Sequence, residues 1–342
     1  MQSAFDRFLW CSVLTLVSLS IFFYSSPLLA EPNESGIDHE LGIYYTSQKG
    51  DTLPFISERF FDSVTYWPEL WKDNPQIRNP HEIAPGEKIR LFHQTGTKRI
   101  PKSLLAGKYL AEPESAYTIF SPVNAAGFIK SGPVKILGSI FKATGEKEII
   151  SEGDEVFFWR NDSGSFEAGT RCTILRIIQV PEKNNMSNLG LRYQMTGIVE
   201  IRDVKPDYCS GIIYRSYRKI RIGDLLMPYT ERSRKIPLDI TPKGISGRIV
   251  AAEDDKEIMG DGDVAFIDKG RRDGLLPGQQ FLLFDHDKRV NPATAQEVSV
   301  GPLDFGTILV LIAEENASTV VITQADKKVV VGDRFRTASL MD

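Results

Sequence analysis

The feature that most constrains how this 342-residue chain can fold is an internal repeat at an offset of 109 residues. Gly138, Gly153, Gly169, Gly197 and Gly223 return as Gly247, Gly262, Gly278, Gly306 and Gly332. The same offset aligns Lys147-Glu148-Ile149 with Lys256-Glu257-Ile258, Gly153-Asp154 with Gly262-Asp263, Phe157 with Phe266, and Gly223-Asp224 with Gly332-Asp333. Chance would align fewer than one of the ten glycines between positions 132 and 223, and five align. Two copies are too few for a solenoid, which needs about three or more units. The repeat therefore predicts two similar small domains in tandem.

Each copy is written in short runs of Val, Ile and Phe bounded by Gly, Asp and Pro, the pattern of an all-β fold. Val264 to Ile267 reads as a strand, Lys269 to Asp273 as a turn, and Phe281 to Phe284 as the next strand. Glycine accepts positive φ and close backbone approach, so it marks the bends of a small barrel. The first copy is bounded at 130–229, an inter-copy linker at 230–241, and the second copy at 242–337. Asp154, Asp263, Asp224 and Asp333 each follow a Gly at a strand edge, which predicts turn stabilisation rather than acid–base work. Cys172 and Cys209 occur in the first copy only. Such a pair can form one disulfide in an oxidising compartment; two buried free thiols are the other reading.

The N-terminus has the layout of a secretory signal. Arg7 precedes an uncharged run from Phe8 to Tyr24, and Ala30 sits at the expected cut before Glu31. Residues 1–30 are therefore expected to be a signal peptide cleaved after Ala30, with an uncleaved anchor as the alternative. Residues 31–42 read as a flexible leader, and 93–129, rich in Lys, Gly and Pro, as a linker. The expected location is exported, periplasmic and cell-wall associated.

Between leader and linker, residues 43–92 read strand, helix, helix, strand. Tyr44 to Ser47 is a short strand; Asp51 or Thr52 can cap a helix bearing Leu53, Ile56, Phe60 and Phe61 at helical spacing. Trp67, Leu70, Trp71 and Asn74 form a second helix, with Pro68 tolerated in its first turn. Pro75, Pro80 and Pro85 stiffen the following loop, and Gly86 turns it into the strand Lys88 to Leu91.

This segment resembles the lysin motif (LysM) family. The matching positions are Tyr45, Gly50-Asp51-Thr52-Leu53 and Ile56, then Trp71, Asn74-Pro75 and Ile77, then Asn79-Pro80, Ile83, Pro85-Gly86 and Ile89. Pro54, directly after the Gly-Asp-Thr-Leu run, and Ser47, where the family often has an apolar residue, depart from the pattern. The resemblance implies binding of N-acetylglucosamine-containing glycan, usually peptidoglycan, in a shallow groove between two loops. One is Gly50, Asp51, Thr52 and Leu53; the other contains Ile77, Arg78, Asn79, Pro80, His81, Glu82 and Ile83. Trp71, Leu70 and Ile89 are expected in the core rather than the groove.

Nothing in the sequence predicts catalysis. The four histidines lack metal-ligand spacing, no Gly-x-Ser-x-Gly elbow occurs, and no metal or cofactor is expected. A net charge of −4 argues against nucleic acid as a partner. Arg215, Arg218, Lys219 and Arg221 read as the solvated face of a hairpin. The expectation is an α+β chain: a small βααβ LysM module followed by two duplicated, mostly β, barrel-like domains. It binds peptidoglycan without catalysis and tethers β domains that engage an envelope protein. An accessory or cryptic cell-wall hydrolase, and a LysM fold used only for protein docking, are the alternatives.

Overall fold

The structure, a computed structural model, describes residues 42–61, 63–93, 116–145, 147, 149–161, 166–178, 189–290 and 297–338. The expected signal peptide, all of the leader but Gly42, and most of the expected linker lie outside the described residues.

The N-terminal module is strand β1 (Gly42–Thr46), helices α1 (Leu53–Phe61) and α2 (Trp67–Lys72), and strand β2 (Lys88–His93), with β1 and β2 antiparallel. The local chemistry explains each boundary. Thr52 caps α1 by accepting the Phe55 N–H at its Oγ1, 3.2 Å away. Pro54 is the second residue of α1 and Pro68 the second of α2, where a missing N–H leaves no helix bond unmade. Leu53, Ile56, Phe60 and Leu70 turn inward and are fully buried against Tyr45 and Ile89 of the strands. Two strands and two short helices bury little surface of their own.

The chain solves this in segments expected to be linkers. Residues 116–130 hold strands β3 (Ala116–Ile119) and β4 (Phe128–Lys130), and residues 235–237 form β11 (Lys235–Pro237). The expected linkers 93–129 and 230–241 are thus partly structural. β3 adds to β1, and β11 to β3, giving a four-stranded sheet in the order β11-β3-β1-β2.

Between β4 and β11 run β5 (Gly138–Ala143), β6 (Glu155–Arg160), β7 (Arg171–Ile178), β8 (Leu191–Val204), β9 (Tyr208–Ser216) and β10 (Leu225–Pro228). They form an antiparallel ring, β5-β6-β9-β8-β7-β10 and back to β5, and β4 pairs with the start of β8. After β11 come β12 (Ser246–Ala252), β13 (Val264–Ile267), β14 (Gln280–Val290), β15 (Glu297–Ala313), β16 (Ser318–Ala325) and β17 (Arg334–Arg336), a closed barrel in the order β12-β13-β16-β15-β14-β17. The two rings have one topology. The 109-residue repeat also extends to single bonds. Gly153 N donates to Ile213 O at 2.9 Å, and Gly262 N to Ile322 O at 2.8 Å. The bridge Ile150–Ile220 recurs as Met259–Val329.

The repeated aspartates close turns in both copies. Asp154 accepts from Ser151 N and Lys147, and Asp263 from Gly260 N and Lys256. The Lys147 hydrogen bond holds the Asp154 carboxyl below the usual carboxylate range. Cys172 on β7 and Cys209 on β9 are buried and unbridged, on strands that flank β8 and do not pair with each other. Burial pushes the Cys172 thiol up to about 11, so neither position favours a thiolate.

Two seams join these parts. Leu282, Leu309, Leu311 and Val321 on the outside of barrel 2 share one core with the LysM-like module, β3 and β11. On another wall of barrel 2, Val250, Phe266 and Ala317 are covered by Ile129 of β4.

Candidate functional site

The two loops expected to form a groove are joined through the backbone. Leu53 N, at the start of α1, donates to Pro80 O at 2.8 Å. This bond places Gly50-Asp51-Thr52-Leu53 beside Ile77 to Ile83. Gly50, Arg78, Asn79, His81 and Glu82 are exposed along it, and Thr52 is half-buried. Leu53, Ile77, Pro80 and Ile83 are buried, and Leu53, Ile77 and Ile83 belong to the hydrophobic core. Gly50 has φ +94°, a left-handed conformation that glycine takes without strain, so the loop can turn sharply before the helix.

Asp51 does not face outward. It is 7% exposed; its Oδ2 accepts from Tyr45 OH at 2.5 Å and from Gln48 N at 2.7 Å. The side chain therefore closes the turn from β1 into α1, and what the turn leaves for a ligand comes from its neighbours. Asn79 is also partly committed. Its Oδ1 accepts the His81 N–H at 3.0 Å, a local Asx turn that shapes the second loop.

The loop is held from behind by α2. Asn74 is fully buried and bonds three backbone groups: its amide donates to Leu70 O and Arg90 O, and its Oδ1 accepts from Arg90 N. One amide thus fixes α2 to β2 on either side of the loop. Ser47, a departure from the family pattern, is buried and bridges the other end, donating to Ala84 O and accepting from Glu87 N.

Leu70 and Ile89 are in the core as expected, but Trp71 is 36% exposed. Its indole N–H donates to Ile77 O at 2.7 Å, which draws the ring toward the surface beside the second loop. Trp67 lies 5.9 Å from Trp71 and 5.7 Å from His81, ring centre to ring centre. Sequence reasoning left both tryptophans out of the site. The signal available was their spacing of four along a two-turn helix, which puts both rings on one face.

The arrangement brings together two loops that carry an exposed amide, an exposed imidazole and an aromatic flank. It can bond the polar edge of a neutral sugar and cover an apolar group. Among the described residues no cluster of His, Cys, Asp and Glu is arranged to hold a metal ion.

The LysM domain family model matches residues 45–92 of the chain. The match supports binding of peptidoglycan or a related glycan. It covers the module alone and does not extend into either barrel. No curated protein matches the chain.

Proposed function

Starting from a chain whose residues 45–92 are a LysM domain, we propose that it is an exported, non-catalytic protein that attaches to peptidoglycan through the cleft between the Gly50 and Asn79 loops. The observation that carries this reading is the Leu53 N–Pro80 O bond, which sets the two signature loops edge to edge with Asn79 and His81 exposed. Gly50, Thr52, Asn79 and His81 offer polar groups to the N-acetyl sugar, on loops anchored by the buried Leu53, Ile77, Pro80 and Ile83. Asp51 contributes by holding the first loop in shape. A shallow site with few ordered partners binds weakly on its own, so attachment to the wall gains from several chains engaging one glycan mesh.

The barrels are presented at the wall by this module, and we assign them the engagement of an envelope protein. LysM is fixed to barrel 2 by a shared core, so glycan attachment sets the orientation of the barrels as well as their place.

The test is co-sedimentation of the processed protein with purified sacculi. The protein should pellet without releasing soluble fragments, and the double substitution Asn79→Ala, His81→Ala should abolish pelleting while the unfolding midpoint stays within a degree or two. Release of muropeptides would overturn the non-catalytic assignment. Undiminished pelleting of the folded double variant would remove glycan binding from this cleft.

A further inference from the structure

The two barrels use the same outer wall differently. In barrel 2 the wall of β12, β13 and β16 is covered: Ile129 of β4, carried on barrel 1, packs on Val250, Phe266 and Ala317. Side-chain bonds to the Gly127 backbone reinforce the contact. Thr319 Oγ1 donates to Gly127 O at 2.8 Å, and Gly127 N to Glu253 Oε2 at 3.0 Å. The equivalent wall of barrel 1, by the 109-residue offset, is β5, β6 and β9, with Phe141, Phe157 and Tyr208 in place of Val250, Phe266 and Ala317. Among the described residues nothing lies over it.

That wall is aromatic. Phe141 and Trp159 stack with ring centres 3.9 Å apart and planes 17° apart. Phe157 lies 6.5 Å and Tyr208 6.4 Å from Phe141, and the two are 6.1 Å from each other, ring centre to ring centre. Trp159 is opposite Tyr208 across the β6–β9 ladder and is 49% exposed, while Phe141, Phe157 and Tyr208 are half-buried. A contiguous cluster of four rings on a sheet face is unlike scattered surface apolar residues, and aromatic rings are the side chains most enriched at protein interfaces. In barrel 2 Trp159 is replaced by Asp268, so the large ring is not a requirement of the barrel.

We propose that this wall is the surface through which two copies of the chain pair. The covered wall in barrel 2 shows what such a face takes: the outside of another barrel of the same kind. Among the described residues, two other apolar walls of the barrels are in use. Barrel 2 is packed on the LysM core and on β4, and the β4 side of barrel 1 is packed on barrel 2. The four-ring wall is the aromatic cluster left open among the described residues, so a second copy matches it with its own Phe141–Trp159 wall, which makes the contact two-fold and isologous. Charge permits this. The charged residues next to the rings in sequence, Lys142, Arg160, Lys205, Glu155, Asp203 and Asp207, are three of each sign, so these segments carry no net charge to repel their own copy. Pairing also doubles the LysM modules per particle, the avidity that a weak glycan site needs.

The experiment is sedimentation velocity of the processed protein over a wide concentration range, with Trp159→Asp and Phe141→Val, which install the residues barrel 2 carries at these places. Wild-type protein should show a monomer–dimer equilibrium. Each variant should weaken self-association by roughly thirtyfold or more, the loss of an interface hot spot, with near-ultraviolet circular dichroism confirming a native barrel. A wild-type protein that stays monomeric throughout overturns the pairing, whether or not the wall then binds glycan or another protein. A dimer that survives the substitution in whichever variant folds overturns it as well.

Discussion

At the scale of single residues, the LysM signature mixes two kinds of position that look alike in sequence. Asp51 and Asn79 are both polar loop residues in the motif, yet Asp51 is buried on Tyr45 OH and Gln48 N while Asn79 stays exposed. Removing the Asp51 carboxylate takes one acceptor from the buried Tyr45 hydroxyl and from the Gln48 N–H, a cost of about 1–3 kcal/mol. Asp51→Ala should therefore lower stability by that amount in denaturant titration, and glycan binding should fall only as far as the module unfolds. Asp51→Asn keeps one acceptor and should recover part of the loss. The positions that needed turn chemistry, Gly50, Thr52 and Pro54, were legible because each demands one local conformation. The inward turn of Asp51 was not, because its partner Tyr45 is on the preceding strand and the two meet only once the turn has closed. Trp71 escaped for the opposite reason. Its size argued for the core, while a single indole bond to Ile77 O holds it half outside.

At the scale of elements, the repeat made both barrels legible down to strand positions, since the same glycines must turn the chain at the same points twice. β3, β4 and β11 were not legible. They are three or four residues long, too short to show a period, and β3 and β11 exist because they complete a sheet begun at β1, some seventy residues before β3 and about 190 before β11. Gly278 registers this join. Gly169 and Gly278 are equivalent and both have positive φ, +82° and +92°. A Cβ on Gly169 would meet open space, but one on Gly278 would collide with the carbonyl oxygen of Pro237, the last residue of β11. Gly169→Ala should cost about 1–2 kcal/mol for left-handed backbone alone. Gly278→Ala should cost a further 1–3 kcal/mol of overpacking and should speed hydrogen exchange in β11 and β3. Equal costs at the two sites, measured by chemical denaturation, would contradict a tight join between barrel 2 and the sheet.

At the scale of the molecule, the parts expected to be separated by linkers are welded by seams, and the seam between the barrels holds a buried carboxylate. Glu253 is 6% exposed, bonded to Gly127 N and 3.3 Å from Arg218. Arg218, expected on a solvated hairpin face, instead reaches across to Asp254 and to the carbonyls of Ala125 and Met195. Arg192 bonds Ala252 O from the same side and pairs with Asp255. Burial pushes the Glu253 carboxyl from an ordinary value near 4.5 up to about 7; Asp254 adds to the rise, while Arg218, the Gly127 N–H and Arg192 oppose it. The folded chain thus keeps a proton on Glu253 that the unfolded chain has released between about pH 4.5 and 7. Wherever the native state binds more protons than the unfolded state, stability falls as pH rises. The loss is confined to that window and amounts to about 3 kcal/mol, at about 1.4 kcal/mol per pKa unit. Asp154 and Asp285 are held below the usual range by Lys147 and Lys327, so their contributions are lost only at more acid pH. Glu253→Gln cannot ionise. Its unfolding free energy relative to wild type should climb as pH rises from 4.5 to 7 and level off above, in denaturant titrations at matched ionic strength. A pH-independent difference would mean that Glu253 is ionised throughout and that Arg218 outweighs burial at the seam.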